Sequence, residues 1–98
     1  MCDYQRVVDT FSRLAVPIRQ GEPLSLAAYD DVIALLRDLK VEFSERDSLP
    51  KDLVLVLVSY YAELLGAAGA RRSSDERKLV ERWAEFVLDG IQSIVSDM

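Results

Sequence analysis

Apolar residues recur every three or four positions in four segments of this chain, at about 4–18, 25–43, 50–65 and 74–95. Because an α-helix turns by about 100° per residue, residues with this spacing fall on one face of a helix. No group of segments shows the two-residue alternation that is typical of half-buried strands. The pattern therefore predicts an all-α fold.

The lengths of the segments and of their connections indicate how the helices are arranged. The chain has 98 residues, of which 50% are hydrophobic, so it can form a single domain with one core over 1–98. Short connections favour antiparallel packing of helices that follow one another in the chain. We therefore expect a four-helix up-down bundle.

Residues that start and stop helices stand between these segments. Ser25 is a start signal for the second helix, and Ser73 with Glu76 has the spacing of a capping box before the fourth. Pro17 is expected to end or kink the first helix, because its ring clashes with the carbonyl group four residues earlier. Gly66 is expected to end the third helix.

The third segment is ambiguous, because residues 53–58 alternate leucine and valine. Six apolar residues in a row are also typical of a buried strand. The chain continues to Leu65 without a turn signal and with good helix formers, and the total length exceeds that of a typical strand. We predict a helix that is apolar on nearly all sides.

The same segment approaches the length of a membrane span. Between Leu53 and Ala70 the only strongly polar side chains are those of Ser59 and Glu63. A carboxylate at the centre of a bilayer costs about 2.5–3.5 kcal/mol on insertion scales, which offsets the gain from the aliphatic side chains. The other three segments are amphipathic, which a single span does not require. We expect no membrane partner.

Composition excludes several kinds of chemistry. The chain has no histidine, which removes zinc hydrolysis and both Ser–His–Asp and Cys–His catalysis. Cys2 is the only cysteine, so no intramolecular disulfide can form, and the N-terminus lacks the pattern of a signal peptide. A net charge of −5 opposes binding to nucleic acid. We expect a cytoplasmic protein without catalytic residues, metal or cofactor.

Glu63 is the most unusual residue of the third segment. If it is buried, it is a candidate proton-carrying or ligand-gripping acid beside Tyr60 and Tyr61. If it is exposed, it shares a narrow solvent strip with Ser59 and Asp52, and this is the interpretation that we prefer. The two adjacent tyrosines suit either an interface or the edge of a core.

An acidic stripe lies on the polar side of the second segment. Its residues fall within about 60° of one another on a helix. They are Asp31, Asp38, Glu42 and Glu45. The stripe could receive a second protein with a basic surface, although a solvated helix face is the more common reason for such a pattern.

The fourth segment carries an apolar arc of about 200°, which is wider than the stripe that a simple bundle needs. Trp83 lies in the middle of this arc, and we expect its side chain to be buried. Together with the third helix, this excess predicts an interface, most simply that of a symmetric homodimer. The predicted contacts are Tyr60, Tyr61, Leu64, Leu88, Ile91 and Val95.

These observations favour a cytosolic, non-catalytic protein-interaction or regulatory module that acts as a homodimer. An adaptor, an inhibitor or a regulatory subunit would fit this description. One alternative is a small-ligand-binding or minor enzymatic helical domain that uses Glu63 with Tyr60 or Tyr61. A second alternative is a helical DNA-binding regulator, which the negative charge disfavours.

Overall fold

The computed structural model describes residues 4–44 and 50–96. Within these ranges the chain forms α1 (Tyr4–Arg19), α2 (Leu26–Phe43), α3 (Lys51–Gly69) and α4 (Ser74–Ser96), and no strand. The all-α prediction is confirmed, and the ambiguous run 53–58 is helical.

The end of α1 shows how the chain accommodates Pro17. The helix continues two residues beyond the proline, so Pro17 lies in the last turn. The Glu22 N–H then donates to the Pro17 carbonyl at 2.9 Å, and the Gly21 N–H donates to the Ile18 carbonyl at 3.2 Å. Gly21 adopts a φ of 80°, the left-handed conformation that this kind of C-terminal cap requires.

The expected stop at Gly66 is wrong, since α3 continues to Gly69. Ala67 and Ala68 are buried against the neighbouring helices, and their packing offsets the cost of about 1 kcal/mol that a glycine imposes on a helix. The following turn is short, and the Ser73 hydroxyl accepts the Glu76 N–H at 3.4 Å at the start of α4.

The four helices occupy the corners of an elongated bundle of 43 × 22 × 20 Å. Along the described residues α1 packs against α2 and α3, and α4 packs against the same two helices. The other two combinations, α1 with α4 and α2 with α3, make no helix–helix contact there. The bundle runs alternately up and down, but α2 and α3 lie on opposite corners, so the expectation that all successive helices are neighbours is wrong.

Contacts between helices fix their directions. The ion pair between Arg6 and Asp38 joins the start of α1 to the end of α2, which makes this pair antiparallel. The end of α1 contacts the second half of α3, so these two helices are parallel. Residues early in α2 contact residues early in α4, and residues late in α2 contact residues late in α4, so this pair is parallel too. The contacts are Arg19–Glu63, Tyr29–Trp83 and Lys40–Ser93.

The core includes side chains from all four helices. Trp83 is buried, as predicted, and it stacks on Tyr29 with ring centroids 4.7 Å apart. The helices α2 and α4 pack closely at Gly90, where a Cβ atom would lie 2.9 Å from Cδ1 of Leu36. A side chain at this position would therefore force the Leu36 side chain to shift.

Arg71 connects the two turns at one end of the bundle. Its side chain is only 6% exposed, donates to the carbonyl oxygen of Glu22 and lies 3.5 Å from the Glu76 carboxylate. Arg77 in turn donates to the Arg71 carbonyl at 3.0 Å. The turn between α1 and α2 is thus held to the turn between α3 and α4.

Candidate interaction surfaces

The outward side of α3 carries no charged residue for four turns. Leu55, Val58 and Leu65 are 56%, 49% and 41% exposed. Small residues lie between them on the same side. We call this surface the α3 face, and it consists of Leu55, Val58, Ser59, Ala62, Leu65, Gly66 and Gly69.

Charged residues stand only at the borders of the α3 face. Lys51 and Asp52 occupy the first turn of α3, and Glu63 lies on the flank toward α1. By length and composition alone, α3 is long and apolar enough to cross a membrane. In the bundle, 28% of this apolar stretch is buried. Both findings describe the same property, an apolar helix of which one side remains uncovered.

The structure corrects part of the predicted interface. Leu64 and Ile91 belong to the core, so they present no surface to a partner. Leu88 is half-buried and Val95 is exposed near the end of α4. The error concerns rotation, because Leu64 and Leu55 are nine residues apart and therefore point about 180° away from each other. On a helix with a single charged residue beyond its first turn, the sequence gives little indication of which side faces the core.

Tyr60 and Tyr61 are both half-buried, and they point about 100° apart around α3. The Tyr60 ring stacks on Phe11 with centroids 5.1 Å apart, and its hydroxyl lies 3.0 Å from the Ser12 hydroxyl. Tyr60 therefore packs α3 against α1, and most of its contacts are made within the bundle.

Glu63 is partly exposed, with a side-chain exposure of 30%, and it accepts a hydrogen bond from Arg19 at 2.8 Å. The ion pair closes the flank between α1 and α3. Glu63 and Tyr61 diverge by about 160° on the helix, so the structure does not bring them together. Glu63 and Tyr61 thus do not meet, whereas Tyr60 lies three residues before Glu63, on a neighbouring position of α3.

The acidic stripe is only partly available. Asp31 is exposed, whereas Asp38 is bound by Arg6 at 2.8 Å and Glu42 is half-buried. Glu45 lies outside the described residues. Within residues 4–44 and 50–96, no three acidic or cysteine side chains are placed to hold a metal ion. Arg6 neutralises part of the charge that a basic partner would require.

A groove between α2 and α4 is a feature that the sequence analysis missed. Its cavity volume is about 440 Å³. It contains the half-exposed ring of Phe86 and ends near two basic residues of α2. The lining residues are Tyr29, Ile33, Leu36, Arg37, Lys40, Phe86, Gly90 and Ser93. Burial raises the pKa of Tyr29, and the neighbouring Asp30 carboxylate raises this pKa further.

A sequence signal for the groove does exist. Gly90 interrupts an otherwise continuous apolar arc in the middle of α4, and a glycine in a helix often marks a close approach or a gap. The partner helix across this gap could not be known from the sequence, because α2 and α4 are not successive helices.

Comparison with known proteins identifies no relative, since the chain matches no family model, no curated protein and no solved structure. The surfaces themselves are therefore the basis for a functional proposal.

Proposed function

We propose that this protein is a non-catalytic interaction module that forms a homodimer through the α3 face. The observation that supports this proposal is the uncharged side of α3, where three large aliphatic side chains are about half exposed. Contiguous apolar patches of this kind are uncommon on monomers and are typical of protein interfaces. Because the chain carries a net charge of −5, two copies repel each other. A contact through uncharged surface keeps the cost of this repulsion low.

The spacing of the α3 face favours a second helix as its partner. The exposed positions 55, 58, 62, 65 and 69 follow one another at steps of three, four, three and four residues. This is the spacing of the contact seam between two helices in a coiled coil. A symmetric dimer uses the same patch on both copies, which a single uncovered helix face satisfies.

An antiparallel arrangement with its twofold axis at Ala62 places large residues opposite small ones. Position 55 of one copy then faces position 69 of the other, 58 faces 66, and 59 faces 65. In each case a leucine or valine lies opposite a glycine or serine. Glycine allows helices to approach closely, and alternation of large and small side chains fills the space between them.

The same arrangement brings opposite charges together at the edge of the contact. Asp52, in the first turn of α3 of one copy, then lies near Arg72, in the turn after α3 of the other, and both residues are exposed. Neither forms an ion pair within the described part of its own chain. Two such pairs frame the symmetric contact and favour the antiparallel orientation over the parallel one.

Sedimentation equilibrium at micromolar concentration tests this proposal. We expect the wild-type chain to sediment as a dimer. Val58→Glu should sediment as a monomer with an unchanged helical circular dichroism spectrum, because it buries two carboxylates in the contact. The matched control is Leu79→Glu, which also places a carboxylate at an exposed leucine, but on α4. A monomeric wild-type protein, or dissociation by Leu79→Glu alone, would show that the proposal is wrong.

The acidic stripe remains a second, separate candidate surface. Because α2 and α3 lie on opposite corners of the bundle, a dimer through α3 leaves Asp31 and Asp38 accessible. A partner with a basic surface that binds there would have to compete with Arg6 for Asp38. This second partner stays a prediction.

A further inference from the structure

The groove between α2 and α4 is apolar at one end and basic at the other. Three contacts between these parallel helices define its levels. Tyr29 meets Trp83 at the first level, Leu36 meets Gly90 in the middle, and Lys40 meets Ser93 at the last. Eleven residues of α2 separate the outer levels, which corresponds to about 16 Å along a helix.

Aromatic and aliphatic groups form the first half of the groove. The ring of Tyr29 is held by its stacking on Trp83, and Ile33 and Phe86 follow at the next level. Phe86 is half exposed although it adjoins the core. An apolar body lying here would cover the exposed part of this ring, and burial of apolar area is the main source of affinity in such pockets.

Two basic side chains mark the other end. Arg37 forms no hydrogen bond or ion pair with residues 4–44 or 50–96. The Lys40 ammonium lies at the same level and donates to the Ser93 hydroxyl at 2.6 Å. Although Glu85 and Asp89 are close in sequence, neither lines the groove. Arg37 therefore provides a positive charge at this end of the groove on a chain whose net charge is negative.

We propose that this groove binds a small anionic amphiphile, such as a medium-chain carboxylate. Its apolar body lies between Ile33 and Phe86, and its anionic group binds Arg37. The guanidinium group matches a carboxylate with two parallel hydrogen bonds. The volume of about 440 Å³ lies within the range of small-molecule sites. A partner helix, by contrast, is about 10–12 Å in diameter and would extend well beyond this groove.

The test uses decanoate at concentrations below micelle formation, with decanol as the uncharged analogue of the same chain length. Trp83 is the only tryptophan and stacks on a groove residue, so its fluorescence reports occupancy. Titration calorimetry gives the stoichiometry. We expect saturable binding of one decanoate per chain. Decanol should bind about tenfold more weakly, since it lacks the charged hydrogen bonds.

Two variants locate the site. Arg37→Gln should weaken decanoate binding by about tenfold and leave decanol binding unchanged, whereas Phe86→Ser should weaken both. Arg13→Gln, an exposed arginine on α1, is the matched control and should change neither.

Several results would overturn the proposal. These are the absence of saturable binding, equal binding of decanoate and decanol, or insensitivity to both groove variants. Loss of decanoate binding in Val58→Glu with retention in Phe86→Ser would place the ligand on the α3 face instead. Binding to anionic vesicles without binding to monomeric decanoate would likewise reject a small-molecule site.

Discussion

The outward sides of α3 and α4 differ although both helices are long and rich in apolar residues. On α4, exposed Leu79 and Phe86 are interspersed with charged residues of both signs. On α3 the corresponding side lacks charge from Leu55 to Gly69. An isolated apolar residue between charges is normal on a protein surface, whereas an uncharged stripe along several turns is uncommon on a monomer. The distribution of apolar residues, rather than their number, therefore distinguishes a surface helix from a candidate interface.

The two helices also differ in what determines their rotation. The charged side of α4 cannot be buried without a large desolvation cost, so α4 has only one acceptable orientation. On α3 only Glu63 imposes such a cost beyond the first turn, so its orientation depends mainly on how well Leu53, Leu57 and Leu64 fill the core. Packing of side-chain volume is a property of the assembled bundle.

The largest effect is expected for Leu64 and its neighbour Leu65, which differ only in the side of α3 on which they lie. Leu64→Ala removes a fully buried side chain and should lower the free energy of unfolding by about 2–5 kcal/mol. Leu65→Ala should cost less than about 1 kcal/mol per chain and mainly weaken the dimer. Urea denaturation at one fixed protein concentration measures both. Equal losses would mean that α3 has no inner and outer side.

The glycines of the two helices should respond to alanine with opposite signs. Gly90→Ala forces a methyl group against Leu36 and should destabilise the chain by about 1–3 kcal/mol. Gly66 has open space around it, so Gly66→Ala should stabilise an isolated chain by about 0.5–1 kcal/mol. Thermal unfolding at low concentration gives these values. In sedimentation, Gly66→Ala should also weaken the dimer, since position 66 faces Val58 of the other copy.

Exchanging the charges at positions 52 and 72 tests the proposed antiparallel orientation of the α3 contact. Asp52→Arg and Arg72→Asp should each weaken the dimer by about fivefold, because two exposed pairs contribute roughly 0.2–1 kcal/mol each. The double variant should restore wild-type affinity, and the dissociation constant from sedimentation is the measurement. If the effects of Asp52→Arg and Arg72→Asp simply add in the double variant, the antiparallel arrangement is contradicted. Lys78→Asp on α4 is the control and should not change the dissociation constant.

The smallest effect is expected for Glu63→Gln on the flank of α3. The Arg19 side of this ion pair is largely exposed, so its loss should change the free energy of unfolding by less than about 1 kcal/mol. Chemical denaturation with Arg13→Gln as the control tests this value. A loss of about 3 kcal/mol or more would indicate a buried charge pair instead of a solvated flank.

Local properties of the chain were readable from its sequence. The three- and four-residue spacing predicted four helices, and their bounds agree except where α3 passes Gly66. Trp83 was correctly expected to be buried, because it lies in the middle of a wide apolar arc. Ser73 was correctly expected to cap α4, since a hydroxyl at that position satisfies a free backbone N–H group. All of these depend on residues within one helix or its first turn.

Contacts between distant segments were decided by the tertiary structure. Arg71 follows a helix end and looks like a solvated loop residue, yet the Glu22 carbonyl and the Glu76 carboxylate draw it into the interior. The groove requires that α2 and α4 be neighbours, and the placement of α2 and α3 at opposite corners decides this. The α3 face depends on the rotation of a helix that has no charged side. Periodicity defines a helix and a face when polarity differs around it, whereas the choice of neighbours, and of the buried side of an apolar helix, depends on how side-chain volumes fit together in three dimensions.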